Sequence, residues 1–418
     1  MPWPSSSPPI AGPRFQADAA VIGAGPSGAR TARDLAREGV KVLLIEEHRQ
    51  VGIPSHCSGL ISPRTWEMGE IGDEALVCNR LRGAFLHVAD DTYLPLGGDK
   101  VQAVAIDRVM WDRALAQQAW EAGAEPVHAR FVGAERVTGG VQLYLQRGDK
   151  TFSAYVRLLI GADGAHSRVA YSMGLPRPEE RVLALGVEAH LDLPREDYVH
   201  IFVGEDVAPG WFGWAIPAGP GLARLGIGCV LGKGIPMELY RAFKERFLRP
   251  FGPVRELRFY GGVIPLSPAK KTYGPHVLLV GDAAGQAKPL SGGGLYMGLL
   301  AASVCAQAAL RALARDDLSP SGLAWYEKEW RRRLGRELAR ARHLRRAGLG
   351  LSSRELVSIV RALERPRVQE AAVRYADIDY PSRSLLRAAA AGFPLLAWAC
   401  LRHPSLAWHL VRALLAWG

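Results

Sequence analysis

The hydrophobic pattern at the start of the chain predicts two buried strands separated by a helix. Residues 17–23, ADAAVIG, form an apolar run that ends in a glycine, and residues 40–47, VKVLLIEE, form a second such run. Between them, residues 29–39 space their apolar side chains at helical intervals. Continuous apolar runs are typical of strands that a parallel sheet buries on both faces. The chain therefore opens with a βαβ unit.

Alternating polar and apolar positions farther along the chain predict antiparallel strands. Short strands separated by glycine turns occupy residues 126–160, which is typical of a small meander. Strands also alternate over residues 82–106 and, most densely, over residues 181–260. A parallel-type strand returns at residue 276, and residues 294–314 then form a long apolar helix. The pattern predicts a mixed α/β protein with one parallel and one antiparallel sheet.

Composition narrows the class of protein and its compartment. The 418 residues carry 52 Lys+Arg against 41 Asp+Glu, a net charge of +11, and 48% of them are hydrophobic, which excludes disorder and low complexity. The five cysteines are widely spaced and never form a CxxC pair, so neither a disulfide framework nor a structural zinc site is predicted. The N-terminus has no signal-peptide pattern, and no transmembrane helix is predicted. We expect a cytoplasmic protein.

A glycine motif at the end of the first strand predicts dinucleotide binding. Gly23, Gly25 and Gly28 form GxGxxG directly after a strand and at the head of a helix. The first glycine permits a tight turn, the second lets the backbone approach a pyrophosphate, and the third allows close helix packing. Glu46 closes the next strand, where its carboxylate can accept hydrogen bonds from a ribose. A glycine turn of purely structural use is the alternative.

Two further strand ends indicate which dinucleotide binds. Residues 161–167, GADGAHS, and residues 281–285, GDAAG, each place an acidic residue where it can bind a ribityl hydroxyl. Together with GxGxxG, these motifs resemble the FAD-binding fold of p-hydroxybenzoate hydroxylase and its relatives. The resemblance implies that FAD is the cofactor. The residues that it implies at the FAD site are Asp163, Gly164, Gly281, Asp282 and, near the diphosphate, Arg108. For Arg108 the alternative is a surface arginine at a helix start.

The source of electrons is not encoded in a second nucleotide motif. GIGCVLG, at residues 226–232, lies in an antiparallel-type segment and has the wrong spacing for GxGxxG. A separate nicotinamide domain is therefore not predicted. We expect reducing equivalents to come from a transient donor, either NAD(P)H or a ferredoxin-like protein.

The loop after GDAAG indicates a family within this fold. Its sequence, GQAKPLSGGGLYMGLLAA, resembles that of the geranylgeranyl reductase family, as do HCSGLIS at residues 56–62 and WFGWAIP at residues 211–217. The resemblance spans nearly all of residues 17–375. It implies an enzyme that uses FAD to saturate carbon–carbon double bonds of isoprenoid chains, such as geranylgeranyl groups on lipids, chlorophyll precursors or quinones.

The motifs and the hydrophobic pattern together divide the chain. We predict an α/β protein in which a Rossmann-like FAD-binding domain is interleaved with an antiparallel-sheet substrate-binding domain and followed by a helical region. The FAD-binding domain would comprise residues 17–80, 106–178 and 272–318. The other predicted parts are a disordered lead over residues 1–16, the substrate-binding domain over residues 81–105 and 179–271, and the helical region over residues 319–418.

A run of glycines precedes the long apolar helix. Gly292, Gly293 and Gly294 present bare backbone at the N-terminus of that helix. Amide hydrogens and the helix dipole can stabilise negative charge on a reduced flavin ring there, and side chains would obstruct the approach. A simple loop is the alternative.

The WFGWAIP segment predicts part of the substrate wall. Phe212, Trp214 and Ile216 project from one face of a strand, because side chains alternate with period two. In the family this region has a YxWxFPK pattern, from which Phe212, Ile216 and Ala218 depart. The missing ammonium and phenol argue against pyrophosphate recognition. FxWxIP also approaches the WxWxIP of flavin halogenases, and packed core aromatics are a further alternative.

Cys57 is the one cysteine within a motif. The family places a cysteine of this loop close to the flavin, and a thiol, with a reference pKa of about 8.5, can donate the proton that alkene reduction requires. Together with Phe212 and Trp214, Cys57 is therefore a predicted catalytic residue. A buried, small hydrophobic side chain is the alternative for Cys57, and a structural role is favoured for His56.

Basic and amphipathic segments near the C-terminus suggest a membrane surface as a partner. Residues 331–346 contain eight arginines and one acid, Glu337, and can meet anionic headgroups or an acidic electron donor. Residues 395–401 and 406–417 resemble interfacial segments. A solvated basic helix is the alternative. Nucleic-acid binding is disfavoured, since no recognised motif accompanies the charge.

Three functions follow from these observations. The first is an FAD-dependent reductase that acts on an isoprenoid chain. The second is an FAD-dependent hydroxylase, or a halogenase-like enzyme, that acts on an apolar substrate. The third is a flavoprotein that binds or carries a lipid without catalysis.

Overall fold

The computed structural model describes residues 15–89, 92–349 and 351–391, together with Trp408. The predicted N-terminal lead up to residue 14 and the two predicted interfacial segments, apart from Trp408, lie outside the described residues. The strands, in chain order, are β1 (Phe15–Ile22), β2 (Val42–Glu46), β3 (Leu60–Ile61), β4 (Val77–Leu81), β5 (Gly83–Ala89), β6 (Thr92–Gly97), β7 (Ala103–Ile106), β8 (Glu125–His128), β9 (Arg130–Val137), β10 (Gly140–Arg147), β11 (Lys150–Gly161), β12 (Arg181–His190), β13 (Tyr198–Val203), β14 (Phe212–Pro217), β15 (Leu222–Val230), β16 (Arg255–Pro265), β17 (Tyr273–Gly274) and β18 (Val277–Leu279). The helices are α1 (Pro26–Arg37), α2 (Pro63–Gly69), α3 (Arg108–Glu121), α4 (Arg168–Ser172), α5 (Pro236–Phe243), α6 (Leu295–Ala314), α7 (Pro320–Trp330), α8 (Arg336–Gly348), α9 (Ser353–Leu363), α10 (Pro366–Arg374) and α11 (Pro381–Ala391).

The first sheet is the parallel sheet that the N-terminal pattern predicts. Its order is β17-β18-β11-β1-β2-β8, and β1 pairs in parallel with both β2 and β11. The interior residues of β1, β2 and β18 are almost completely buried, because helices α1, α3 and α6 cover one face. The predicted meander is confirmed: β9, β10 and β11 pair in sequence as antiparallel strands, and β11 continues into the parallel sheet.

The second sheet has the order β16-β12-β15-β14-β13-β5-β6 and is antiparallel except where β13 meets β5. One face packs against α5 and the turn that follows it, where Phe243 and Phe247 respectively contact Phe202 of β13. The opposite face lies against the loop of residues 56–59, since Arg224 of β15 reaches the carbonyl oxygen of Ser58. A small third sheet, β3-β7-β4, is formed by strands that occur between β2 and β8 in the chain.

The long apolar helix is a core element. Within the described residues, α6 is the one helix with the length and apolar character that a membrane crossing requires. Most of its side chains are nevertheless buried inside the protein, including Met297, Leu299 and Val304. Helices α7 to α11 then continue the chain, in agreement with the predicted helical region.

Candidate functional site

The GxGxxG turn has the geometry of an anion-binding helix start. Gly23 has a φ of +98°, and a Cβ on Gly28 would lie 1.9 Å from the carbonyl oxygen of Gly23, so the turn and α1 pack at a distance that only glycine allows. A Cβ on Gly25 would meet nothing within 4 Å. No side chain caps α1 among the described residues, so its first amides remain available. These features fit a pyrophosphate approaching the helix N-terminus.

Glu46 connects the end of β2 to the glycine turn. Its carboxylate accepts hydrogen bonds from the amide of Ala24 at 2.9 Å and from the amide of His48 at 3.0 Å. Burial alone would raise the pKa of Glu46, but the hydrogen bonds from His48 and Ala24 outweigh burial and lower it. An open pocket of about 460 Å³ lies alongside, between Glu47 and His128. Ribose binding by Glu46 stays a prediction.

The carboxylate of Asp163 is hydrogen-bonded to residues of its own loop. Its carboxylate accepts hydrogen bonds from the hydroxyl of Ser167 at 2.7 Å and from the amide of Val169 at 3.0 Å, at the start of α4. Burial raises the pKa of Asp163, although these hydrogen bonds oppose the rise. Because its backbone also lies beside Gly23, Asp163 supports the glycine turn. A Cβ on Gly164 would meet nothing within 4 Å, so this backbone stays accessible.

Asp282 is a half-buried carboxylate with no partner of its own among the described residues. Within the described residues it has neither a hydrogen bond nor an ion pair, and burial raises its pKa to about 6, opposed by the positive charge of Arg108. Gly281 precedes it and packs against Ser27 of α1. A carboxylate in this state lacks hydrogen-bond donors, and the hydroxyl groups of a ribityl chain would supply them. The residues present therefore fit FAD.

Arg108 joins the predicted cofactor site to the predicted catalytic loop. It forms two hydrogen bonds with Asp112, at 3.0 and 2.9 Å, on the first turn of α3. Its guanidinium also interacts with the thiol of Cys57 and with the charge of Asp282. Burial would lower the pKa of Arg108, but Asp112 and Cys57 raise it. Arg108 is largely buried, so the surface alternative is wrong, and contact with the diphosphate stays a prediction.

The loop that carries Cys57 is held by the second sheet. Arg224 of β15 donates to the carbonyl oxygens of Ser58 and Ile106, each at 2.8 Å. His56 contacts the carbonyl oxygen of Gly261 on β16 at 2.7 Å, which agrees with a structural role. The amide of Gly59 donates to the sulfur of Cys57 at 3.4 Å. The thiol is thus fixed on the face of the sheet that also carries Arg224.

The glycine run before α6 lies between the two sheets. A Cβ on Gly294 would lie 3.0 Å from a carboxylate oxygen of Asp282, and a Cβ on Gly292 would lie 3.1 Å from both Trp211 and Ile264. A Cβ on Gly293 would lie 2.7 Å from the side chain of Lys288. The run therefore lies between Asp282, which is predicted to bind the ribityl chain, and the aromatic segment of the second sheet.

The aromatic wall rests on glycines. Phe212 and Trp214 lie on one face of β14, with ring centroids 5.9 Å apart, whereas Gly213 faces Phe243 on the other side. The indole of Trp214 lies flat across Gly226, where a Cβ would be only 2.2 Å from the ring. Trp214 is half-buried, and its indole nitrogen has no partner among the described residues. The predicted shared face is confirmed, and the catalytic roles stay predictions.

Several residues of the site are not evident in the motifs. Gly186 and Gly226 interrupt strands rich in apolar residues, and a glycine inside a strand signals close approach by another group. That signal was available in the sequence. No comparable signal marks Lys288 and Asp379, which form a buried ion pair at 3.5 Å although 91 positions separate them.

Comparisons with known proteins identify the family and the fold. Residues 16–224 match a family model described as an FAD binding domain. The chain is 30% identical over 372 residues to a digeranylgeranylglycerophospholipid reductase from Methanothrix thermoacetophila, covering 86% of this chain and 94% of that protein. It is 30% identical over 394 residues to a protein of the same description from Methanococcoides burtonii, covering 90% and 92%. A geranylgeranyl bacteriochlorophyll reductase-like protein from Thermoplasma acidophilum has a similar structure, with a TM-score of 0.83 and 23% identity over 94% of this chain and 100% of that one.

Proposed function

This chain belongs to the geranylgeranyl reductase family of FAD-dependent oxidoreductases, and we propose that it saturates carbon–carbon double bonds in the isoprenoid chain of a lipid. One observation carries this proposal: Arg108 packs beside Gly59 of the Cys57 loop and interacts electrostatically with both Cys57 and Asp282, on the side of the second sheet where the ring of Trp214 lies over Gly226. An apolar wall that faces a flavin and a single thiol suits a substrate whose reacting carbons carry no polar group.

The residues of the chain have separate tasks in this reaction. Bound, reduced FAD supplies a hydride equivalent. Asp282 and the amides at the start of α1 hold the cofactor, while Trp214 and Phe212 orient the isoprenoid chain and exclude water. The sulfur of Cys57 holds the proton that the second alkene carbon receives. Arg108, between Cys57 and Asp282, stabilises the thiolate that remains after transfer.

The substrate class is a geranylgeranyl chain that is already attached to a glycerolipid. Two relatives that share 30% identity with this chain carry the name digeranylgeranylglycerophospholipid reductase. Ala218 stands where the family pattern has lysine, so this position offers no ammonium to a free diphosphate. The wall instead presents aromatic and aliphatic surface, which binds the hydrocarbon part of a lipid.

The function is tested by anaerobic turnover. The purified holoenzyme is reduced with dithionite, which replaces the transient electron donor, and is mixed with a geranylgeranyl glycerophospholipid. We expect the lipid to gain hydrogen pairs, measured by mass spectrometry, while the flavin absorbance returns. A product that forms only in the presence of oxygen, and that is heavier than the lipid by an oxygen atom, would identify a hydroxylase. Saturable binding without product would identify a lipid carrier.

Replacement of the thiol tests its role in the reaction. Cys57→Ser should retain FAD and reduce the lipid at least a hundredfold more slowly, because general acid catalysis contributes roughly 10²–10⁴-fold and a hydroxyl is a much weaker acid. The rate of flavin reoxidation by the lipid is the measurement. Cys229→Ser is the control, since Cys229 lies on the face of β15 opposite Arg224 and its sulfur donates a hydrogen bond to the carbonyl oxygen of Gly234. Equal rates for Cys57→Ser and the wild type would remove the thiol from the mechanism.

A further inference from the structure

Five large apolar side chains are exposed in the segment that leads from the end of β15 through α5 to β16. Their exposed fractions lie between 36% and 58%, and the residues are Leu231 and Ile235 in the loop, Met237 on α5, and Leu257 and Phe259 on β16. Single exposed apolar residues are normal, whereas a group of them on one surface marks a site of contact. We refer to these five residues as the α5–β16 surface.

Contacts between α5 and β16 bring the parts of this surface together. The rings of Phe259 and Tyr240 meet edge to face, with centroids 6.1 Å apart. Glu256 accepts hydrogen bonds from Lys244 at 2.8 Å, just after α5, and from Tyr240 at 3.4 Å. Met237 lies three residues before Tyr240, so it is on the side of α5 that faces β16.

The loop before α5 presents its side chains to solvent. Its sequence is LGKGI, in which Lys233 is exposed between two glycines. Gly232 has a φ of +86°, and a Cβ there would meet nothing within 4 Å. The carbonyl oxygen of Ile235 accepts hydrogen bonds from the amides of Glu238 and Leu239, so the loop is anchored to the first turn of α5.

Cations border the apolar side chains. Residues 231–259 contain seven basic and three acidic residues. Lys233, Arg241 and Arg255 are exposed and form no ion pair within the described residues, whereas the acid Glu256 is already engaged by a lysine. Apolar side chains bordered by cations are complementary to a bilayer that contains anionic lipid. A second copy of the chain would bring like charge to the same surface, which disfavours a dimer there.

β16 belongs both to this surface and to the candidate site. It is an edge strand of the second sheet, and its side chains alternate, so Phe259 faces α5 while Tyr260 faces the opposite side. The carbonyl oxygen of Gly261 lies 2.7 Å from His56, in the loop that carries Cys57. One strand therefore separates the surface from the loop of the predicted catalytic thiol.

We propose that the α5–β16 surface docks the protein on a bilayer that contains anionic lipid, and that a lipid substrate reaches the site around the free edge of β16. Leu231 and Ile235 enter the boundary between headgroups and acyl chains. Lys233, Arg241 and Arg255 bind the lipid phosphates. The entry of substrate rests on the proposed function, whereas docking does not depend on catalysis.

Co-sedimentation of the holoenzyme with vesicles of equal parts phosphatidylcholine and phosphatidylglycerol tests the docking. Leu231→Glu/Ile235→Glu should bind at least tenfold more weakly than the wild type. Val132→Glu/Val137→Glu is the matched control, because both valines are exposed on β9 and the variant adds the same charge; its binding should stay within twofold of wild type. Equal losses in both variants, or equal binding of the first variant and the wild type, would overturn the proposal. Since the predicted interfacial segments at the C-terminus stay intact, equal binding would assign the contact to them.

Removal of the cations separates a bilayer from other partners. Lys233→Gln/Arg241→Gln/Arg255→Gln should bind the anionic vesicles at least tenfold more weakly and bind vesicles of phosphatidylcholine alone as the wild type does. A wild type that binds neither kind of vesicle would overturn the proposal. Under that result, a dimer that Leu231→Glu/Ile235→Glu dissociates would assign the surface to a second copy, and binding of an acidic ferredoxin would assign it to an electron donor.

Turnover tests the entry of the substrate. When a geranylgeranyl glycerophospholipid is embedded in the anionic vesicles, dithionite-reduced Leu231→Glu/Ile235→Glu should reduce it at least tenfold more slowly than the wild type. When the same lipid is dissolved in micelles of a non-ionic detergent, the two rates should agree within twofold. Equal rates with vesicles would overturn entry from the bilayer. If the wild type reduces the lipid in neither form, the proposed function fails, while the co-sedimentation comparison still decides the docking.

Discussion

Single glycines set the depth of the site. The rings of Trp214 and Tyr260 pack directly onto the backbone of the neighbouring strands, because residues 226 and 186 have no side chain. A Cβ at either position would lie 2.2 Å from the ring above it. Any larger residue would push the ring toward the cofactor and fill the space that an isoprenoid chain needs. Under the proposed function, the space that these two glycines leave would admit a thin, flexible hydrocarbon.

At Asp282, cofactor affinity should depend on pH. FAD hydroxyl groups that donate to this carboxylate favour its ionised form, so bound FAD lowers a pKa that is about 6 in the free protein. Binding then releases a proton, and affinity should rise with pH up to about 6, roughly tenfold for each pKa unit of that lowering, and level off above it.

Fluorescence titration of FAD between pH 4 and 8 measures this dependence. Asp282→Asn should bind FAD more weakly and with little variation below pH 6. Asp99→Asn, which removes an exposed carboxylate, should behave as the wild type does. A wild-type affinity that does not vary with pH would show that Asp282 does not face the cofactor.

One turn connects the elements that surround the site. Residues 377–380 follow α10, and Asp379 accepts hydrogen bonds from Ser62 at 2.6 Å and from Arg64 at 3.2 Å. The ammonium group of Lys288 donates to the carbonyl oxygen of Ile378 at 2.6 Å. The turn thereby fixes both the segment after Cys57 and the segment before the glycine run.

Removal of the Lys288 ammonium should destabilise the protein. Lys288→Met removes one of the two cations beside buried Asp379, and because Arg64 remains at 3.2 Å the loss should be below the roughly 3–5 kcal/mol that breaking a buried pair from one side costs. Urea unfolding of the holoenzyme measures the change. Lys270→Met is the control: its pair with Glu179 is exposed, so the free energy of unfolding should scarcely change. Equal stability of the two variants would show that the buried pair contributes nothing.

The sequence predicts the individual strands and helices better than it predicts the contacts between them. The βαβ opening, the meander, the antiparallel strands and the long apolar helix are all evident from periodicity and glycine turns. The residues of the three FAD motifs could be named, because each motif is local. Tyr260, Arg224 and Asp379 could not, because each reaches the site only through strand register or a distant turn. The division into domains remains a prediction.

Part of the positive charge that the sequence shows is engaged in ion pairs within the protein. Glu180 forms ion pairs with Arg342, Arg345 and Arg346 of α8, and Glu329 binds Arg332 and Arg333. Five of the eight arginines of the 331–346 segment therefore contact one of these two acids, and the five share only two carboxylates. A headgroup or an acidic electron donor would have to compete with these acids, which leaves the C-terminal segments as the better candidate for membrane contact.

Truncation of the C-terminus tests whether it contacts a membrane, and the structure indicates where the deletion should begin. Ser382 donates to Glu337 of α8 at 2.6 Å and is buried, so a deletion that begins there would disturb the fold. Deletion of residues 392–418 should retain FAD and bind at least fivefold more weakly to vesicles that contain anionic lipid, measured by co-sedimentation. Neutral vesicles are the control. Undiminished binding to anionic vesicles would end the proposal of a membrane-binding C-terminus.

The order of strands in the first sheet also governs when the protein can take up its cofactor. β1 supplies the glycine turn, but its neighbour β11 and the next strand, β18, come from far later in the chain. A ribosome that adds roughly 5–20 residues per second delivers Gly28 on the order of tens of seconds before Asp282. During that interval the nascent polypeptide contains the glycine turn but not Asp282. We therefore expect FAD to bind late in the synthesis of the chain.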